Sequence, residues 1–394
     1  MNKKIICIVL AVFCTASLVR ADDDYINAII TAVPSLSIAP DARAGGMGDV
    51  GAATSPDVYS QYWNPAKYAF IESRAGLSVN YTPWLRKIVS DINLAYISGY
   101  YNISETAGVV SASLRYFSLG SVSLFTADGS NLGDAKPNEW ALDVAYSRKL
   151  SEVFSAAVAF RYIHSDLNNG VNFSGTTSGP EMYPGNAFAA DIALLYNQPI
   201  EVAGGTSRLG VGLNLSNLGS KISYDENTTT NFIPANMRLG VSYDLPIDEY
   251  NRISFSGDAN KLLVPSQKVK SSNDPLHSWT TMSAEDYSNI SSVDGWFRSF
   301  SDAPEGFSEE LKEIQWGLGA EYAYNEQFLV RAGYSHEAKS KGNRRYFTVG
   351  AGFRLSMFEL DAAYVIATSQ TNPLDQTLRF SLAFNLDGMK NLVR

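Results

Sequence analysis

Cysteine is almost absent from this chain: of 394 residues only Cys7 and Cys14 carry a thiol, and both lie near the start. Downstream, no disulfide can staple the fold and no thiol can act as nucleophile or metal ligand. Long apolar runs are also lacking. Beyond Ile5–Leu18 nothing approaches the ~18 consecutive apolar residues that a transmembrane helix needs. Histidine is scarce, with His164, His277 and His336 the full complement. No nucleophile motif accompanies them and no His/carboxylate spacing suggests zinc, so no catalytic residue, metal or cofactor is indicated. Asp225-Glu226 has no looped calcium-ligand spacing around it. Excess positive charge is missing too: the formal net charge of −9 argues against a nucleic-acid partner.

What is present begins with an export signal. Lys3 and Lys4 form a positive n-region, Ile5–Leu18 an apolar h-region, and Val19-Arg20-Ala21 a cleavage site ahead of Asp22-Asp23-Asp24. Residues 1–21 therefore read as a signal peptide. Cys14 raises the question of a lipoprotein, but Phe13 stands where a lipobox needs a small residue.

After residue 74 the apolar residues recur with a period of two. Phe154, Ala156, Val158, Phe160 and Tyr162 share one strand face, while Ser155, Ala157, Ala159 and Arg161 share the other. Phe188, Ala190, Ile192, Leu194 and Tyr196 repeat this against Ala189, Asp191, Ala193 and Asn197, and Leu378–Leu386 does so again. Fourteen such segments are centred near residues 78, 96, 112, 143, 158, 191, 212, 241, 256, 320, 332, 350, 362 and 381. Most run about ten residues, the length of a tilted membrane-crossing strand. The 22 tyrosines and 19 phenylalanines, with an ordinary hydrophobic content of 45%, are what alternation yields in a membrane barrel.

The connections test this independently. Links from even to odd segments are mostly brief: Asn102–Thr106, Lys149–Glu152, Ile247–Asn251, Asn325–Gln327 and Leu355–Ser356. Links from odd to even are mostly long: 118–137, 164–185, 218–235 and 262–314. Short periplasmic turns opposite long external loops mark an outer-membrane barrel, and a soluble sandwich has no reason to sort loops this way. The expected fold is all-β, a transmembrane antiparallel barrel of about fourteen strands over residues 74–394, in contact with outer-membrane lipid and with both termini periplasmic. The aromatic face turns to lipid, with Tyr81, Trp140, Tyr146, Tyr162, Tyr196, Tyr243, Trp316, Tyr322 and Tyr364 near strand ends as interfacial girdles. The lumen face carries Asp143, Arg161, Asp191, Arg238, Asp244, Asp258, Glu321, Arg331, Arg354, Glu359, Asp361 and Arg379. Mixed charge at this density implies ion pairs within the lumen rather than a proton path.

Residues 22–73 do not alternate and are rich in small residues. A segment of this kind leading into a barrel is expected to fold inside it as a plug. Gly45, Gly46, Gly48 and Gly51 loosely suggest a phosphate-cradling loop, but there is no preceding buried strand and no Gly-Lys-Ser/Thr. The run Ala42-Arg43-Ala44-Gly45-Gly46-Met47-Gly48, followed by Asp57, Tyr62 and Asn64-Pro65-Ala66, resembles the amino-terminal signature of the PorV/PorQ proteins of the type IX secretion system. These are related in architecture to FadL-type fourteen-stranded barrels, which also carry Asn-Pro-Ala in a plug. The resemblance implies a non-enzymatic secretion component. Such a protein binds folded C-terminal signal domains of cargo leaving a large translocon barrel and passes them to a sortase-like attachment protein.

Partner contact is expected at the longest loop, 262–314, through Trp279, Trp296, Phe297 and Phe300, because exposed aromatics among polar residues make interface anchors. The same rings would equally serve to pack the loop on itself. The rival reading is a FadL-like transporter of hydrophobic small molecules. It needs an apolar lumen, for which Ile29, Ile30, Leu36 and Ile38 of the plug are the available walls.

Overall fold

The computed structural model describes residues 26–86, 89, 91–125, 129, 131–169, 182–202, 204–225, 229–270, 279–368 and 374–386; the signal segment 1–21 and His277 lie outside them. Fourteen antiparallel strands close into one barrel. They are β1 Ala75–Pro83, β2 Ile92–Ser104, β3 Gly108–Leu119, β4 Asn138–Lys149, β5 Phe154–Asp166, β6 Gly185–Val202 and β7 Gly205–Gly219. The circuit continues through β8 Asn236–Pro246, β9 Asn251–Leu262, β10 Gln315–Tyr324, β11 Phe328–His336, β12 Tyr346–Arg354, β13 Phe358–Ala367 and β14 Leu378–Asn385. Each strand pairs with its sequence neighbours, and β14 closes on β1 with Leu77 opposite Phe384 and Val79 opposite Leu382. All fourteen expected centres fall inside a strand. Closure leaves no unpaired ladder edge, which hydrocarbon would not tolerate.

The alternation survives in three dimensions. On β5, Ser155, Ala157, Ala159 and Arg161 are buried, while Phe160 is 72% exposed, and Phe188 on β6 is 67% exposed. Rings left this bare in mid-strand belong against lipid. Loop lengths sort by side: 105–107, 150–153, 203–204, 247–250, 325–327 and 355–357 at one rim, and 84–91, 120–137, 167–184, 220–235, 263–314, 337–345 and 368–377 at the other. We call these the short-turn and long-loop rims.

The chain ahead of β1 runs down the barrel interior. At the long-loop rim the Ile26 carbonyl accepts from Lys268 Nζ (2.5 Å) and Asn27 N–H donates to the Ser340 carbonyl (2.7 Å). A 3-10 turn Pro34–Ser37 then packs Leu36 against Ile163 and Ala187, and Ile38 meets Leu94 and Phe117. Helices α1 Ala42–Gly45 and α2 Ser60–Trp63 lie deeper, and the 3-10 turn Pro65–Phe70 sets Ala66 on Ala157 and Leu195 near the short turns. This inner segment therefore crosses the lumen once. Asn385, whose N–H donates to the Met357 carbonyl (2.7 Å), is at the short-turn rim. The described chain thus has its two ends at opposite rims, where one periplasmic rim was expected for both; strand parity counts only the barrel and is blind to a segment threading it.

This topology has a direct consequence. With native cysteines confined to positions 7 and 14, the Ile26→Cys variant should react with a membrane-impermeant maleimide on intact cells. Leu150→Cys, exposed in a short turn, should react only after permeabilisation. The reverse pattern would invert the assigned orientation.

Candidate functional site

The inner segment is held by charge and by close backbone contact. Asp41 caps α1 by accepting from Ala44 N–H (2.8 Å), and its other oxygen takes Trp63 Nε1–H (2.5 Å). The Asn64-Pro65-Ala66 motif has a local explanation. Asn64 Oδ1 accepts from Ala66 N–H (3.0 Å), Pro65 opens the 3-10 turn where no N–H is needed, and Asn64 Nδ2 donates to the Ala52 and Leu194 carbonyls (2.9 and 3.0 Å). Three N–H groups of the glycine-rich run reach the barrel: Gly48 donates to Thr348 Oγ1 (2.8 Å), and Gly51 and Ala52 to Asp258 Oδ2 (2.8 and 3.0 Å). Gly48 has φ +74°, and a Cβ there would stand 2.7–2.8 Å from backbone atoms of Leu318 and Tyr334. Beside it, Gly45 and Gly46 lie on Arg379 and on Gly350, and Met47 is buried.

The charged lumen residues resolve into separate groups. Arg43 reaches Asp57 (2.5 Å) and Glu321 (3.3 Å). Glu321 also accepts from Arg331 Nε (2.7 Å), and Arg331 Nη1 donates to Asp361 (2.5 Å), to which Tyr59 OH also donates (3.1 Å). Arg161 bridges Asp143 (3.2 Å) and Asp191 (2.9 Å), with Gln61 Nε2 donating to Asp143 (2.5 Å). A bulge between β6 and β7 at Ala190/Ile192 faces Asn217, whose φ of +57° turns its N–H onto Asp191 (2.7 Å) and its side-chain oxygen onto Arg161. Arg379 pairs with Asp49. Two members differ from the expected network. Arg354 sits at the short-turn rim, a third exposed, and joins through Glu359 (3.0 Å). Arg238 has no ion pair among the described residues; it donates to Asn260 (2.6 Å) and lies over the Trp63 ring (4.5 Å). Wall residues thus pair mostly with one another, and the ion pairs that tie the wall to the inner segment are Arg43–Glu321 and Asp49–Arg379, which alternation along strands could not reveal.

The described part of the loop 263–314 forms a structured cap at the long-loop rim. It contains a hairpin, Lys268–Lys270 with Trp279–Thr281, and helices α3 Ala284–Asn289, α4 Ser292–Arg298 and α5 Phe307–Lys312. Val264, Tyr287 and Ile290 share a core with Phe232 of the neighbouring loop and Ile29 of the inner segment. A buried ion cluster ties the cap down. Lys261 meets Glu310 (3.1 Å) and Glu313 (2.5 Å), and Lys341 meets Glu309 (2.6 Å) and Glu313 (3.0 Å). Burial, with Glu313 and Glu310 nearby, pushes the Asp302 carboxyl up to about 6 despite the Ser266 N–H on it. The four loop aromatics divide. Trp279, under Lys268 (4.1 Å), and Trp296 are half-buried. Phe297 is 73% exposed and Phe300 is also exposed; Val293 shares the Phe297 face of α4, and Phe307 (77%) with Leu311 makes a second bare face on α5. Sequence inspection missed Phe307 and Leu311, whose four-residue spacing was the available signal. His164 and His336 are built into girdle stacks with Trp140 and Trp316, apart from one another.

Comparison with known families and structures follows the same line. The family described as type IX secretion system protein PorV matches residues 20–269. A comparison with curated proteins finds no match. Among solved structures, the P. putida toluene transporter TodX superposes with a TM-score of 0.50 at 11% identity, covering 88% of this chain and 97% of its own. The Ralstonia pickettii toluene transporter TbuX gives 0.48 at 12% identity (87% and 97% covered), and a Pseudomonas aeruginosa FadL homologue 0.44 at 12% (91% and 99%). At such identity the likeness concerns the fold alone.

Proposed function

Since the chain belongs to the PorV family of type IX secretion system proteins, we propose that this outer-membrane barrel binds C-terminal signal domains of cargo leaving the translocon barrel and hands them to a sortase-like attachment protein. The observation that carries this reading is the pair of bare apolar faces, Val293/Phe297 and Phe307/Leu311, on short helices fixed at the external rim. Exposed phenylalanines on an ordered scaffold are the material of interface hot spots. The transporter alternative finds little support in the lumen. The cavity there is only about 140 Å³ and is lined by Arg115, Arg161, Arg238 and Arg379, whereas an apolar cargo needs an apolar wall. Ile30, one of the candidate apolar walls, is exposed, and Leu36 and Ile38, although they reach this cavity, share its wall with those four arginines.

The test is co-purification of the Phe297→Ser/Phe307→Ser variant in mild detergent. Recovery of translocon, cargo or attachment protein should fall at least tenfold, since two anchors at more than about 1 kcal/mol each are lost. Heat-modifiable gel mobility should persist. Undiminished recovery would remove the cap faces from the interface. A barrel recovered alone with bound hydrophobic molecules would favour transport instead.

A further inference from the structure

The lumen cavity below the long-loop rim has an unbalanced lining. Of its arginines, Arg161, Arg344 and Arg379 are each paired, with Asp143/Asp191, Glu337 and Asp49. Arg115 and Arg238 are not: neither has a carboxylate within ion-pair distance among the described residues. Arg115 is 4% exposed. Its Nη1 donates to the Ser35 and Ile38 carbonyls (2.6 and 3.0 Å), while Nη2 is buried without a partner. Both guanidiniums lie over the same Tyr62 ring, at 5.0 and 5.2 Å from its centre, and Tyr96 backs Arg115 at 5.3 Å. The surrounding acids stay beyond ion-pair distance: Asp143 is held by Arg161, Gln61 and Ser113, Glu139 by the Ser35 N–H, and Asp258 accepts from Gly51 and Ala52 on Oδ2 while its Oδ1 has no hydrogen bond. A buried cation without a counter-charge is costly. Asn217, Asn236, Asn260 and Gln315 add neutral amide groups to the same wall.

We propose that a small oxyanion, a carboxylate or a phosphate, binds in this cavity between Arg115 and Arg238. Guanidinium forks suit either group. The cavity of about 140 Å³ holds a phosphate or a short organic acid, since one water occupies roughly 10–15 Å³ of such space. The inference is independent of the secretion reading, and neither fails with the other.

The experiment is calorimetric titration of the full chain, in non-ionic detergent at low salt, with inorganic phosphate, with hexanoate and with chloride. Saturable binding of phosphate alone assigns a free phosphate or phosphate headgroup. Hexanoate alone assigns a carboxylate, and both assign a general oxyanion site. Arg238→Gln should weaken that binding at least tenfold, and Arg115→Lys should retain part of it. Arg115→Gln risks releasing the inner segment at Ser35 and Ile38, so Arg238→Gln carries the decision. Heats no greater than those of chloride, or binding unchanged in Arg238→Gln, would overturn the proposal.

Discussion

Gly333→Val will unseat the inner segment while leaving the barrel closed. A Cβ at Gly333 would overlap the backbone N of Gly48 and the backbone C of Met47, and would stand 2.7 Å from Met47 O. The obstacle is main chain on both sides, so no side-chain rotation relieves it. The strands do not depend on this contact, because every ladder closes on a neighbouring strand. Unseating also takes Arg43 off Glu321, which keeps Arg331, and strips Asp49 from Arg379; leaving the buried Arg379 unpaired costs about 3–5 kcal/mol. The variant should keep its heat-modifiable mobility, lose protease protection over residues 33–70, and show single-channel conductance where the parent shows little. Gly257→Ala is the control, since its added carbon meets the flexible tip of Leu318 at 3.1 Å and the Gly317 carbonyl oxygen at an ordinary 3.5 Å. Unchanged proteolysis and conductance in Gly333→Val would mean that the inner segment does not rest on this seat.

Much of the barrel was legible because its physics is periodic. A residue such as Phe160 between Ala159 and Arg161 declares its face without help from the rest of the chain. Loop lengths separated the two rims in the same local way. What stayed hidden depends on contacts far apart in sequence. Alternation identified Arg331 and Arg379 as lumenal, but which acids they meet is set by strand register and by the path of the inner segment, and Asp49 lies 330 positions from Arg379. The bulge that aims Asn217 at Asp191 breaks the period instead of following it. The cap helices span six or seven residues, too few for a 3.6-residue period to stand out. The starts of α3 and α4 were readable all the same. Ser283 and Ser291 each accept from the N–H of an aspartate three positions on, Asp286 at 3.0 Å and Asp294 at 3.1 Å, which is the N-terminal signal of a capped helix.

Lys341→Met will loosen the cap at the long-loop rim. The buried cluster sets three carboxylates, Glu309, Glu310 and Glu313, against two lysines, Lys261 and Lys341. Removing Lys341 leaves Glu313 on Lys261 and leaves Glu309 with only Asn27 Nδ2 (2.7 Å) and the Glu305 N–H (3.0 Å). Loss of one buried partner costs about 3–5 kcal/mol, so amide exchange across α5 should accelerate by at least two orders of magnitude. Acid has two opposed effects. Asp302, raised by burial from 3.8 to about 6, binds its proton more tightly in the docked cap. Its contribution is full below 3.8 and lost as pH rises through 6. Burial raises Glu309 too, but hydrogen bonds from Lys341, Asn27 and Glu305 outweigh this and hold it below its usual 4.5. Its contribution is present above 4.5 and lost as pH falls through the depressed value. Protection of α5 should therefore peak between about pH 3.8 and 4.5 and decline from there to about pH 6. In Lys341→Met the acid limb should move to higher pH, because the chief group holding Glu309 down is gone, while Asp302→Asn should flatten the limb near 6. A protection profile that is flat across that range, or one that Lys341→Met leaves in place, would show that α5 is docked by the Phe232–Val264–Tyr287–Ile290 core and not by these charges.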